Sequence, residues 1–409
     1  MKKKIIVAYS GGLTSTALIP WLKENQECEI TAVCVDVGQK VDWKLLQKQA
    51  IAAGASACHV LDAKKEYIED FYWPILKAGV IQKDKHILGN LITKPLIAKT
   101  LAEYIRKEKA SAFAHGDRCY SSDINCVFKL LIPSVEIIDP WMKWKLVNRL
   151  DKIRYLTRRK VPLSVKKNDL SSRESNLLSS SYTGPDLLDS SAEPMYRKIL
   201  CSVVVPEKAP NKPEIAEIEF DKGIPTALNG KKMEGAALIL QLNKIGAANG
   251  IGIADMIENL WCNTKTRTVY ESPAHCILYL AHQKLESVCL DKQTIEFKQN
   301  ASLEIGSLID SSSWFSTLRE ALSSFVDITQ KDVSGKVRLK LYKGSVTAEG
   351  VSSPNSLLLS GFNLETETKA KTGARTAKAV KGASKTAGKP AAKTAAAKTK
   401  TAKKPARKK

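Results

Sequence analysis

The sequence predicts an α/β protein, in which a domain built on a parallel β-sheet is followed by an α+β domain and a disordered basic tail. In residues 1–140, short apolar runs typical of buried strands alternate with segments of helical period, the pattern of an open parallel sheet with helices on both faces. Residues 214–365 combine alternating, strand-like segments with longer helical ones. From residue 366 onward, Lys, Ala, Thr, Pro and Gly dominate, and such a segment cannot bury enough apolar surface to fold. We therefore place the domains at residues 1–165, 166–365 and 366–409.

The individual elements follow from hydrophobic period and from turn residues. In the first domain we expect strands at residues 4–9, 30–37, 57–61, 112–114 and 135–138, and helices at 15–24, 42–53, 64–78 and 92–108. In the second domain we expect strands at 215–220, 224–230 and 337–344, and helices at 236–246, 273–290 and 314–329. Residues 161–213 are rich in Ser, Pro, Asn and Asp, which indicates extended loops that join the domains or border an active site.

Composition argues against several kinds of protein. The nine cysteines include no Cys-x-x-Cys pair and the five histidines no His-x-x-x-His pair, so we expect reduced thiols and no metal site built by the protein. No stretch approaches the ~18 apolar residues of a membrane span, and the apolar run after the basic N-terminus is too short for a signal peptide. We therefore expect a cytoplasmic protein with no membrane contact.

The net charge of +22 is concentrated in the tail. Residues 369–409 contain 15 Lys and Arg and no Asp or Glu, and subtracting these charges leaves +7 for residues 1–368. The tail resembles the Lys/Ala/Pro-rich tails of linker-histone-like proteins, which implies nonspecific, salt-dependent binding to the phosphate backbones of nucleic acid. The alternative is a solvated segment with no specific partner.

One short stretch near the N-terminus predicts an anion-binding loop. Residues 5–16 read IIVAYSGGLTST, an apolar strand followed by two glycines and then by hydroxyl residues that can open a helix. Gly11 and Gly12 allow a sharp turn and a close approach to a ligand, and the helix after them presents free N–H groups to an anion such as pyrophosphate. Segments 36–39 and 115–116 also follow strands and should lie at the same edge of the sheet. The alternative is an ordinary strand-to-helix turn without a ligand, and the Walker pattern is excluded because no Gly-Lys-Ser/Thr follows.

These residues resemble the Ser-Gly-Gly-x-Asp-Ser loop of PP-loop ATP pyrophosphatases and, more closely, the AYSGGLDTS loop of argininosuccinate synthases. The resemblance extends to about residue 365, through the stretches 36–39, 94–98, 114–116, 140–141, 224–230, 265–271, 314–322 and 338–344. It implies a PP-loop (adenine nucleotide α-hydrolase-like) domain followed by a synthetase and oligomerisation domain. It also implies the family's reaction in arginine biosynthesis, in which ATP with Mg²⁺ adenylylates citrulline, pyrophosphate leaves, and the amine of aspartate displaces AMP. The family's assembly is a homotetramer.

The resemblance implies binding sites for three substrates. It assigns ATP to Ala8, Tyr9, Ser10, Gly11, Gly12, Leu13, Thr14, Ser15, Thr16, Val35 and Gly116. It assigns citrulline to Ser172, Ser181, Glu258 and Tyr270, and aspartate to Ser122 and Asp123. A carboxylate and a phenol suit the α-amino group and the polar end of citrulline.

Several positions depart from the family's pattern. Thr14 stands where the family has Asp, and a hydroxyl is a poor substitute for a carboxylate near Mg²⁺. Loss of one preorganised electrostatic partner costs roughly 10²–10³ in rate. The other departures are Val35, His86, Leu91, Arg118, Ser122 and Cys126.

Three hypotheses follow for the activity. The chain is a working argininosuccinate synthase with an added basic tail, a ligase that joins an activated citrulline-like group to another acceptor, or a pseudoenzyme that keeps the family's shape while its tail binds nucleic acid.

Overall fold

A five-stranded parallel sheet forms the centre of the N-terminal region. The structure is a computed structural model that describes residues 2–81, 89–117, 124–163, 170–259 and 264–358. The predictions for His86, Arg118, Ser122, Asp123 and the tail lie outside these residues. Residues up to Leu357 form one compact unit, and the boundary at residues 165/166 stays a prediction.

The strands of the N-terminal region confirm the predicted α/β class. They are β1 (Lys3–Ala8), β2 (Cys28–Asp36), β3 (Ala57–Asp62), β4 (Ala112–Ala114) and β5 (Glu136–Ile138). All neighbouring pairs in the order β3-β2-β1-β4-β5 are parallel. The glycine loop, Asp36 and the segment after β4 therefore come together at the carboxyl edge of one sheet.

Helices cover both faces of this sheet. They are α1 (Leu13–Asn25), α2 (Trp43–Ala52), α3 (Lys64–Glu66), α4 (Trp73–Ala78), α5 (Gly89–Lys107), α6 (Ile124–Leu131) and α7 (Arg149–Arg158), with a π-helical segment (Tyr67–Tyr72) between α3 and α4. Successive side chains of β1 point to opposite faces of the sheet, so neighbouring residues pack against different helices. Ile5 and Val7 pack with α1, α2 and α7, whereas Ile6 packs with the π-helical segment, α5 and α6.

The C-terminal region contains two antiparallel sheets. Its strands are β6 (Ser172–Ser175), β7 (Ser180–Thr183), β8 (Glu214–Asp221), β9 (Ile224–Leu228), β10 (Lys231–Lys232), β11 (Ile253–Asn259), β12 (Lys265–Glu271), β13 (Gly335–Tyr342) and β14 (Ser345–Ser352). Its helices are α8 (Tyr196–Ile199), α9 (Gly235–Ala248), α10 (Pro273–Cys289), α11 (Lys292–Asp310) and α12 (Thr317–Thr329). The two strand orders are β10-β9-β8-β13-β14 and β11-β12-β7-β6.

The structure contains several elements that were not predicted from the sequence, among them α6 and α7 in the N-terminal region and β6, β7, β11, β12, β14 and α11 in the C-terminal region. Residues 172–183, expected as loop, contain the serine-rich strands β6 and β7, which pair with each other, and β7 also pairs with β12. Helix α11 was not predicted because its buried stripe is weakly apolar. That stripe consists of Lys298, Ala301, Ile305 and Ile309. Within the described residues, no helix is both long and apolar enough to cross a membrane.

Candidate active site

The glycine loop connects β1 to α1 with the geometry of an anion cradle. Gly11 has φ +74°, and a Cβ there would lie 2.9 Å from Leu46 Cδ1, so both conformation and space require glycine. Gly12 is the N-cap of α1, no side chain caps this end, and the first turn carries no acidic residue. The N-terminal N–H groups and the helix dipole are therefore available to an anion.

Hydroxyl groups stiffen this loop from within. The Oγ atoms of Ser10 and Ser15 are 3.2 Å apart, and Ser15 Oγ donates to the Gly12 carbonyl at 3.2 Å. Beneath them, the Tyr9 hydroxyl lies 3.2 Å from Thr16 Oγ1. Burial raises the pKa of Tyr9 to about 12, so its phenol stays protonated and neutral at physiological pH.

Thr14 lies directly against Gly116, the residue that follows β4 and the buried His115. A Cβ at position 116 would come within 2.6 Å of Thr14 Cγ2 and 3.4 Å of the Ser15 nitrogen. The first turn of α1 and the loop after β4 are thus in contact, as expected for two parts of one nucleotide site.

The remaining residues predicted to bind ATP line or support this edge. Ala8 and Leu13 pack against apolar clusters on opposite faces of the sheet. Val35 is 6% exposed, so its side chain belongs to the core, while its carbonyl accepts from Gln39 Nε2 at 2.8 Å.

All four residues predicted to bind citrulline lie on one face of the four-stranded sheet, and Ser181, Glu258 and Tyr270 lie together there. Tyr270 is paired with Ser181 across β12 and β7. The Tyr270 hydroxyl donates to Glu258 Oε1 at 2.8 Å. Burial and the nearby carboxylate of Glu258 raise the pKa of Tyr270, which keeps it a hydrogen-bond donor. Ser172 lies farther along β6, is exposed and pairs with Thr183.

The structure adds Glu174 and Asn90 to this group. Glu174 is the cross-strand partner of Ser181, and Asn90 Nδ2 donates to Ser181 Oγ at 3.1 Å and to Glu174 Oε2 at 3.3 Å. Alternation along β6 places Ser172 and Glu174 on one face, a signal that sequence reasoning missed because it treated the segment as loop. Leu91, one of the departures from the family's pattern, packs against the apolar core.

We call the group formed by Asn90, Glu174, Ser181, Glu258 and Tyr270 the cleft. Opposite charges meet there. Desolvation raises the pKa of Glu174, the negative charges of Asp117 and Glu258 raise it further, and Lys94 opposes them. Lys94 Nζ lies 3.7 Å from Asp117 Oδ2, and Trp141 Nε1 donates to the Asp117 carbonyl at 3.1 Å. Since Asp117 directly follows Gly116, these charged residues adjoin the loop after β4.

The residues at the loop fit phosphate groups better than they fit a metal ion. Thr14 contributes a hydroxyl at the first turn of α1, where no carboxylate is present. Across the described ranges, no group of three His, Cys, Asp or Glu could hold a metal ion. Cys126 lies exposed on α6. Ser122 and Asp123, predicted to bind aspartate, lie outside the described residues.

The chain matches two family models and many curated relatives along most of its length. Residues 4–162 match the arginosuccinate synthase N-terminal HUP domain, and residues 171–388 match the arginosuccinate synthase C-terminal domain. The chain is 45% identical over 383 residues to argininosuccinate synthase of Caldanaerobacter subterraneus subsp. tengcongensis, covering 93% of this chain and 92% of the relative. It is 45% identical to the enzyme of Acetivibrio thermocellus, covering 87% and 89%, and 43% identical to that of Brachyspira hyodysenteriae, covering 87% and 89%. By sequence, fold and loop geometry, the chain belongs to the argininosuccinate synthase family.

Proposed function

We propose that this protein is an argininosuccinate synthase. It joins citrulline and aspartate while ATP is cleaved to AMP and pyrophosphate, and adenylylated citrulline is the intermediate. The observation that carries the proposal is that the anion cradle adjoins, through Gly116 and Asp117, the cleft that holds Glu174, Glu258 and Tyr270.

The glycine loop binds the phosphates of ATP in this proposal. The N-terminus of α1 and the hydroxyls of Ser10 and Ser15 hold the groups that leave as pyrophosphate. Gly116 allows the close approach of the neighbouring segment. Mg²⁺, bound with ATP, offsets the negative charge of the phosphates. At the first turn, the residue of this chain that would hold that ion is Thr14, through its hydroxyl.

The cleft binds citrulline. Glu258 and Glu174 provide negative charge for the α-ammonium group, while Ser172, Ser181 and Tyr270 offer hydroxyls for its polar ends. Lys94, next to Asp117, provides positive charge for a carboxylate. We assign aspartate to Ser122 and Asp123, which follow this segment in the chain.

The proposal also covers the cellular location of the protein, its oligomeric state and the role of its basic tail. We propose a cytoplasmic homotetramer whose residues 369–409 retain nucleic acid nonspecifically. The charge of the tail, 15 Lys and Arg without an Asp or Glu, favours this second activity.

Pyrophosphate release from Mg·ATP, with and without citrulline and aspartate, tests the proposal. We expect release that requires both amino acids, with argininosuccinate as the product. Release with citrulline alone would contradict aspartate as the acceptor. A folded protein that releases no pyrophosphate under any of these conditions would identify a pseudoenzyme.

A further inference from the structure

A chain of hydrogen bonds leads from a fully buried tyrosine to the cleft. The Tyr67 hydroxyl shares its proton between the Gly89 carbonyl at 3.0 Å and Asn176 Oδ1 at 3.2 Å. Asn176 Nδ2 donates to Asn90 Oδ1 at 2.9 Å, and Asn90 in turn donates to Ser181 and Glu174. Tyr67 is 0% exposed, so it cannot touch a substrate itself.

Asn176 is the centre of this chain. Its Oδ1 accepts from the backbone N–H groups of Leu178 and Ser179, both at 2.9 Å, so the amide orients the turn between β6 and β7. With Oδ1 committed to three donors, Nδ2 must point toward Asn90. The orientation of Asn90 is fixed in the same way, because its oxygen faces Asn176 and its nitrogen therefore faces the cleft.

The same turn is joined to the nucleotide edge of the parallel sheet. Leu177 N–H donates to the Val37 carbonyl at 2.8 Å, and Asn243 Nδ2 donates to the Leu177 carbonyl at 2.8 Å. Gly38 has φ +89°, and a Cβ there would lie 2.8 Å from Leu177 Cβ, so the two segments are in close contact. These backbone contacts do not depend on Tyr67 or Asn90.

The location of Tyr67 is also unusual. It opens the π-helical segment Tyr67–Tyr72, and such segments occur frequently at functional sites. Desolvation raises the pKa of Tyr67, which keeps its hydroxyl a donor.

We infer that Tyr67, Asn176 and Asn90 are positioning residues that hold Ser181 and Glu174 in the geometry that binds the amino-acid substrate of the cleft. This inference rests on the proposed function, because that substrate is citrulline. Tyr67 acts through Asn176 and through the backbone of Gly89, which directly precedes Asn90, and the nucleotide side of the turn is also held through Leu177.

Steady-state kinetics of Tyr67→Phe, which removes one hydroxyl, tests the inference. We expect the KM for citrulline to rise roughly threefold to tenfold, the effect of one hydrogen bond, while kcat and the KM for ATP stay within about twofold. Tyr72→Phe is the matched control. Tyr72 is equally buried in the same π-helical segment, but its hydroxyl pairs with His275 Nδ1 at 3.1 Å, away from the chain of bonds. An equal rise in the citrulline KM for both variants, or a fall in thermal stability alone, would overturn the inference.

A double variant separates positioning from independent effects. Asn90→Ala removes the donor to Ser181, so adding Tyr67→Phe to it should raise the citrulline KM no further. If the two effects on KM multiply instead, the inference is overturned.

If Tyr67→Phe fails to fold, Asn90→Asp supplies the test, because it places an oxygen opposite Glu174 and should also raise the citrulline KM. If the wild-type protein neither binds citrulline in calorimetry nor releases pyrophosphate, this result contradicts the proposed function itself. Citrulline binding that Asn90→Asp leaves unchanged would contradict only the positioning role.

Discussion

Thr14 and Gly116 are in van der Waals contact, with the threonine Cγ2 occupying the space that a Cβ on residue 116 would need, 2.6 Å away. This contact joins the first turn of α1 to the loop after β4. It also places Thr14, which stands where the family has Asp, at the phosphate end of the proposed nucleotide site. The methyl and the hydroxyl of Thr14 can therefore be tested separately.

Thr14→Asp should strengthen binding of Mg·ATP, because it places a negative charge at the N-terminal turn of α1, close to the metal ion on the phosphates. We expect the Kd of Mg·ATP in calorimetry to fall by roughly tenfold, the effect of about 1.4 kcal/mol. Thr14→Asn is the neutral control of the same shape. Equal affinities for the two variants would show that charge at this position does not act on the bound ion.

Gly116→Ala should weaken ATP binding, because its Cβ collides with Thr14 Cγ2 and displaces one of the two segments. Overpacking of this kind costs about 1–3 kcal/mol, so we expect a Kd for ATP roughly 5-fold to 100-fold higher. Thr14→Ser removes the colliding methyl and should restore much of the affinity in the double variant. Gly350→Ala, where no atom lies within 4 Å of the added Cβ, should have no effect. A double variant as weak as Gly116→Ala alone would refute the steric explanation.

Glu174 should make stability depend on pH. Its pKa is raised in the folded protein, mainly by desolvation, so the folded state holds this proton more tightly than the unfolded chain. This contribution to stability is fully present below about pH 4, where the unfolded carboxyl is protonated, and is lost as pH rises through the raised pKa. The Tm difference between Glu174→Gln and wild type should therefore grow as the pH rises above about 4. Glu304→Gln, at an exposed position of α11, is the control, and parallel Tm curves for all three proteins would contradict the prediction.

Lys298 and Glu286 form a buried ion pair, with Lys298 Nζ 3.0 Å and 3.1 Å from the two carboxylate oxygens. Gln330 Nε2 donates to the same carboxylate at 2.6 Å. Lys298→Met leaves that charge buried, which should lower the free energy of unfolding by about 3–5 kcal/mol in urea denaturation.

Adding Glu286→Gln to Lys298→Met should recover much of this stability, since the buried charge is then gone. Lys292→Met, at an exposed position of the same helix, should change stability by less than about 0.5 kcal/mol. A comparable loss of unfolding free energy for Lys298→Met and Lys292→Met would show that burial of the ion pair is not the cause of the destabilisation.

Deletion of residues 369–409 should abolish salt-sensitive retention of DNA or RNA while leaving folding and pyrophosphate release intact. Gel retardation at increasing salt measures the first property, and thermal unfolding with the release assay measures the second. Destabilisation on deletion would show that the segment is part of the fold.

Local pattern was sufficient to predict the parallel sheet and the glycine loop. The inner strands of that sheet, β1, β2 and β4, are largely buried apolar runs, as Ile5, Ile6 and Val7 illustrate, and each is followed by a break in the pattern. The pairing of β6 with β7 was not predictable in this way, because serines carry little hydrophobic signal and those strands are stabilised by partners distant in the chain. Glu174 was missed for the same reason, whereas Glu258 and Tyr270 were identified through the family resemblance.

The sequence by itself determined the family, the α/β class of the N-terminal region, the glycine loop followed by Thr14, and the charge of the tail. These properties depend on residue types and spacing within single segments. Only the tertiary structure decided which residues meet at the cleft, including the contact of Thr14 with Gly116, the cross-strand pair of Glu174 with Ser181, and the hydrogen bonds from Tyr67 to Asn90. The reason is physical. The contacts of Thr14 with Gly116 and of Tyr67 with Asn176 join segments about a hundred residues apart in the chain, and the geometry of all these contacts follows from sheet register and helix packing that no local pattern specifies.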